Sequence, residues 1–172
     1  MFSERLSFGG VALHLYGETP WQLSPACAPF RTEAAPAAHE IHIRLSDTMP
    51  TPPDGTPCSL RTYRWRTGAQ RHTLHDHVSD FTYAVTDGNS TELTVSMGYA
   101  ENLRTQLLLE GVDLFDILAE RGMLVLHSSY VLRKEGDAIL FSGASGIGKS
   151  TQAELWREFA SARVINGDRA LI

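Results

Sequence analysis

The run Gly143-Ala144-Ser145-Gly146-Ile147-Gly148-Lys149-Ser150-Thr151 holds the residues with the clearest chemical purpose in the sequence. Its spacing, Gly, four residues, then Gly-Lys-Ser, is that of a phosphate-binding loop. Glycines let successive backbone N–H groups turn toward one anion without Cβ clashes, and a helix starting at the same place directs its positive end there. The pattern assigns Lys149 to the β and γ phosphates of a nucleotide and the Ser150 hydroxyl to Mg²⁺. A glycine turn that binds nothing would not need Lys followed by Ser.

The flanking elements are the ones such a loop requires. Ala138-Ile139-Leu140-Phe141 reads as a buried strand, and Thr151 to Ala160 carries Leu155, Trp156 and Phe159 at helical spacing. Upstream, Leu124 to Leu132 is a second apolar strand, and Arg133 to Asp137 is a turn, so the loop is expected to be fed by a hairpin. A turn centred near Glu135 places His127 opposite about Gly143, at the mouth of the loop. An imidazole there can accept a proton or steady a transferred phosphoryl group. The plainer alternative is a neutral histidine satisfied by backbone partners within a sheet. Downstream, Arg163 to Asn166 is a short strand reached by a helical crossover, expected to run parallel to the loop-bearing strand. Asp168 follows its C-terminal end, where a carboxylate meets Mg²⁺ directly or through water.

The remaining sequence sets the frame. Val11 to Tyr16, Glu40 to Leu45 and Arg61 to Arg66 alternate apolar and polar side chains, and Asp87-Gly88-Asn89 lies between the runs Phe81 to Val85 and Glu92 to Val95, so antiparallel sheet is expected. Residues 49–57, rich in proline, are an exposed loop. Leu103, Leu107, Leu108, Leu114, Phe115, Ile117 and Leu118 then fall at helical intervals until Arg121-Gly122. The expected fold class is α+β, with an antiparallel β region over 1–100, a linking helix over 101–122 and an α/β phosphate-loop module over 123–172.

Charge and composition narrow the partners. A formal net charge of −5 without a basic run argues against nucleic acid and anionic membrane as partners. Arg61, Arg64 and Arg66 interleave with Tyr63 and Trp65, which is either a stacking platform for single strands or, the preferred reading, a solvated strand with snorkelling arginines. His72, His75 and His77 around Asp76 resemble a metal site only superficially, and His39 and His42 are expected at the surface. Ser128 and Ser129 lack a nucleophile-elbow pattern. Cys27 and Cys58 have neither metal-ligand spacing nor disulfide-scaffold density, so reduced thiols and a cytoplasmic setting are expected. No segment approaches the length of a membrane span.

The stretch from Leu126-His127-Ser128-Ser129-Tyr130 through Asp168-Arg169 resembles the C-terminal domain of HPr kinase/phosphorylase and the related ATP-dependent phosphoenolpyruvate carboxykinases. There a histidine-bearing hairpin precedes a loop of the form G-x-S-G-x-G-K-[ST], matched here by Gly143 to Ser150, and an acidic motif follows on the next strand. The resemblance is strongest to HPr-kinase-like proteins grouped with peptide-modification systems, and it covers about the last fifty residues. It implies ATP and Mg²⁺ as cofactors, phosphate binding by Gly143 to Thr151, metal binding by Ser150 and Asp168, and a catalytic centre containing His127 and Asp168. It further implies transfer of phosphate to a Ser or Thr hydroxyl of a protein or peptide, and a chain truncated beyond Ile172. HPr kinases carry adjacent aspartates where Asp168 stands alone between Gly167 and Arg169. That departure keeps open a second expectation, a non-catalytic nucleotide-binding partner module.

Overall fold

The computed structural model describes residues 1–33, 36–76, 81–167 and 169–172; His77 and Asp168, both singled out above, lie outside them. Two compact units divide the chain, Met1–Ile117 and Leu118–Ile172. Among the described residues no helix is long and apolar enough to cross a membrane.

The first unit is built on one sheet. Strands β1 (Phe2–Phe8), β2 (Val11–Gly17), β3 (His39–Ser46), β4 (Cys58–Ser59), β5 (Thr62–Thr67), β6 (Gln70–Asp76), β7 (Phe81–Asp87) and β8 (Ser90–Ser96) form eight strands in the order β1-β2-β3-β8-β7-β6-β5-β4. A 3-10 helix (Met97–Asn102) and the helices α1 (Thr105–Gly111) and α2 (Leu114–Ala119) follow. Alternation along the strands sends Leu13, Leu15, Ile41, Ile43, Leu93 and Val95 to one face, where they are fully or almost fully buried together with Leu108 of α1. The opposite face is polar and aromatic. His14 there bonds Ser3 and Glu40, and His42 bonds Glu92.

In the second unit, β9 (Val125–Leu132), β10 (Ala138–Ser142), β11 (Arg163–Asn166) and β12 (Arg169–Leu171) make a four-stranded sheet, and α3 (Lys149–Phe159) is its helix. The core is small: Val131, Ala153 and Ala162, with Ile139, Phe141, Trp156 and Val164 packed against them.

This architecture corrects the expected α+β class and its α/β phosphate-loop module. The chain is mostly β, with 45% strand and 20% helix. The N-terminal sheet is mixed, because β3 runs parallel to both of its neighbours, β2 and β8. Alternation reports which face is buried and is silent on strand direction, and the long segment between β2 and β3 is not a hairpin connection. The helix expected over 101–122 is broken between α1 and α2. In the second unit β11 runs in the same direction as the loop-bearing β10, as expected, but β9 lies between them and pairs with both, so a single helix lies on a sheet whose every pairing is antiparallel. His39 also departs from expectation: it is fully buried, and its Nε2 bonds Thr91 Oγ1 at 2.8 Å.

The helix break has an identifiable cause. Asp113 adopts a left-handed conformation, φ 51°, a region that Asp visits more readily than most residues. Its carboxylate accepts hydrogen bonds from Thr73 Oγ1 at 2.7 Å and from the Arg64 fork at 2.9 and 3.1 Å, tying the break to β5 and β6. The bond to Asp113 is the main reason the Arg64 guanidinium is held above its ordinary pKa. Asp113→Ala loses these charged hydrogen bonds while the backbone must keep its positive φ. It is expected to cost about 2 kcal/mol or more in urea unfolding, with Asp113→Asn losing less.

Candidate functional site

The site grows out of the β9–β10 hairpin. Its turn is closed by Arg133 N–H donating to the Asp137 carbonyl at 2.8 Å and Gly136 N–H donating to the Arg133 carbonyl at 3.1 Å. The Arg133 guanidinium also grips the Asp137 carboxylate, and that hydrogen bond holds the carboxyl below its ordinary pKa. The resulting register runs from Ala138 opposite Leu132 to Ser142 opposite Ser128. His127 is therefore the residue next along β9, level with the first residue of the loop, and it is exposed. Strand alternation puts it on the same face as Val131, the face that α3 covers. On its other flank it pairs with Arg169 of β12.

Residues 143–148 connect β10 to α3. Gly146 and Gly148 have φ values of 78° and 98°, conformations that an L side chain rarely adopts, and Gly148 is the cap residue from which α3 begins. Gly143, Ala144, Ser145, Gly146 and Ile147 are exposed, whereas Lys149, the first helical residue, is only 8% exposed. Its Nζ bends back into the loop and donates to the carbonyls of Gly143 at 3.0 Å and Ala144 at 3.1 Å. Among the described residues no side-chain hydrogen bond caps α3 and no acid lies in its first turn, so neither neutralises its N-terminal amides and dipole. Ser150 and Thr151 occupy that turn and are exposed.

Two hydroxyls converge beside the loop. Ser150 Oγ donates to the Gly167 carbonyl at 3.3 Å, and Ser129 Oγ, from β9, donates to the same oxygen at 2.9 Å. Gly167 thus ties the end of β11 to both the central strand and the helix start. Ser129 was set aside in the sequence because it lacks a nucleophile pattern; only the strand pairing reveals its positioning contact. The structure brings Lys149, Ser150 and the loop backbone together, with His127 on the adjoining strand. Mg²⁺ commonly takes only one or two protein oxygens and completes its shell from phosphates and water, a role the exposed Ser150 hydroxyl suits since its bond to Gly167 is long. Among the described residues no group of three or more His, Cys, Asp or Glu is placed to hold a metal.

The other sequence candidates lie in the first unit. His72 stacks on Trp65 at 5.0 Å with 4° between the rings, and its Nδ1 meets Tyr83 Oη at 2.7 Å. His75 Nδ1 meets Thr62 Oγ1 at 3.1 Å. Comparison with known protein families, with curated proteins and with solved structures returns no match. A Gly148→Ala substitution is expected to lower the stability of the second unit by about 1–2 kcal/mol, measured by urea unfolding, because the cap must keep its left-handed backbone.

Proposed function

We propose that Gly143 to Thr151 bind the phosphates of Mg-ATP and that the protein transfers the γ-phosphoryl group to a Ser or Thr hydroxyl of a protein or peptide. The observation that carries this reading is Lys149: a nearly buried ammonium held by two loop carbonyls, beside an uncapped helix start. Loop amides and Lys149 hold the phosphates, and Ser150 supplies a hydroxyl oxygen to Mg²⁺. By its resemblance to HPr kinases, Asp168 adds a carboxylate to the metal and His127 belongs to the catalytic centre, where it takes the proton of the acceptor hydroxyl or steadies the charge of the transferred group. The acceptor oxygen bonds to the γ phosphorus, the bond from phosphorus to the bridging oxygen breaks, and ADP leaves.

The lone Asp168 favours a second reading, in which bound nucleotide orders the protein for a partner without turnover. A cytoplasmic setting accords with two free thiols, of which Cys27 is pushed up in pKa chiefly by burial and is therefore poorly reactive. Calorimetric titration with Mg-ATP is expected to give saturable binding, weakened about tenfold or more by Lys149→Ala, with circular dichroism checking that the variant remains folded at the titration temperature. Transfer of labelled phosphate to Ser- or Thr-containing peptides, lost in His127→Ala, supports the kinase reading. Binding without transfer supports the second, and unaltered binding by Lys149→Ala defeats both.

A further inference from the structure

The inner face of the eight-stranded sheet changes character toward β5. One lateral row of cross-strand partners runs Leu15, Ile41, Thr91, Thr86, Arg71, Arg66, and the next runs Ile43, Leu93, Ala84, Thr73, Arg64. Each begins in the core and ends in guanidinium groups. The arginine ends of the rows, Arg64, Arg66 and Arg71, line a cleft of about 260 Å³ together with Val112, Asp113 and Asp116 from the segment around the break between α1 and α2. Arg66 and Arg71 are direct cross-strand partners. Arg64 has its carboxylate in Asp113, while Arg66 stands exposed beyond it, in a chain whose net charge is −5.

The sheet is also unfinished at this place. β4 covers β5 only at Thr62 and Tyr63, so among the described residues no strand lies beside the outer backbone of β5 from Arg64 to Thr67. We propose that this edge receives an extended acidic segment of a partner protein, which adds as a further strand beside residues 64–67 and lays its carboxylates over the arginines. Strand addition supplies main-chain hydrogen bonds, and a period of two brings alternate carboxylates over the arginine face. Arginine forks on carboxylates give the strong, charge-assisted bonds. Edge arginines serving only to repel other copies of the chain would need no cleft behind them. A nucleic-acid strand fits less well. Tyr63 and Trp65 lie on the opposite face from Arg64 and Arg66, and Trp65 is already stacked on His72 and Tyr83. The inference is independent of nucleotide binding at the loop.

The test is fluorescence anisotropy on the full chain with a labelled eight-residue peptide alternating Glu with Val or Thr. Saturable binding that weakens with salt is expected, reduced about tenfold or more when Gln replaces Glu, when two backbone amides of the peptide are N-methylated, or in Arg66→Glu. Arg66→Gln, a milder change at an exposed position, is expected to show an intermediate loss, and circular dichroism melting checks that both variants fold. No binding, equal binding of the Gln or N-methylated peptides, or indifference to both Arg66 variants would overturn the proposal. So would an oligothymidylate that binds the same edge and displaces the peptide.

Discussion

Every strand of the second unit hydrogen-bonds to β9. That dependence decides where its chemistry can be. β10 pairs along residues 128–132, β11 along 130–132 and β12 along 125–127. A strand so fully used leaves little freedom: the hairpin fixes where β10 ends and therefore where the loop begins, and β12 fixes the backbone at His127. The single helix then stands at the end of β10 with its N-terminus toward the loop. Ser129 extends the same control to the end of β11 through the Gly167 carbonyl. A small cluster of Val131, Ala153 and Ala162 with half-buried neighbours adds little to this frame, so the ladder of main-chain bonds and the hairpin turn carry much of the definition of the site.

The first unit solves a different problem. Only short helical segments accompany its eight-stranded sheet, and the composition of the inner face changes across the strands. Aliphatic residues line the centre, threonines follow, and arginines end the rows. Asp113 marks the transition, since it turns the helical segment at a positive φ and bonds the polar rows beneath. A continuous helix over the same residues would lose both contacts.

Much of the second unit was legible because its signals are local. The hairpin follows from apolar runs around Arg133 to Asp137, and the register that sets His127 level with Gly143 follows from the turn. The loop is readable because glycine, lysine and serine at fixed spacing have backbone consequences. What was not legible is pairing between distant segments. Alternation in Val11 to Tyr16 and Glu40 to Leu45 identifies half-buried strands but cannot distinguish a parallel neighbour from an antiparallel one, and both contacts of β3 are parallel. Nor does the crossover after α3 reveal that β9 lies between the two strands it joins. The burial of His39 is hidden from the sequence for a related reason: it depends on Thr91, far along the chain, to satisfy a ring nitrogen. The arginine row had the same obstacle, because Arg66 and Arg71 oppose one another only once the turn at Gly68-Ala69 is known.

Lys149 gives the loop a threshold. Its ammonium is bonded to the Gly143 and Ala144 carbonyls, so an anion cannot simply add to a bare positive charge; it must replace two carbonyl dipoles while gaining the amides of the glycine turn. A small monoanion offers too few oxygens to recover what that exchange gives up. Under the proposed phosphate-binding reading, an anion with several oxygens spread along a chain would recover that loss, and the loop would select by the number of contacts an anion can make at once. The lysine meanwhile closes the loop from within.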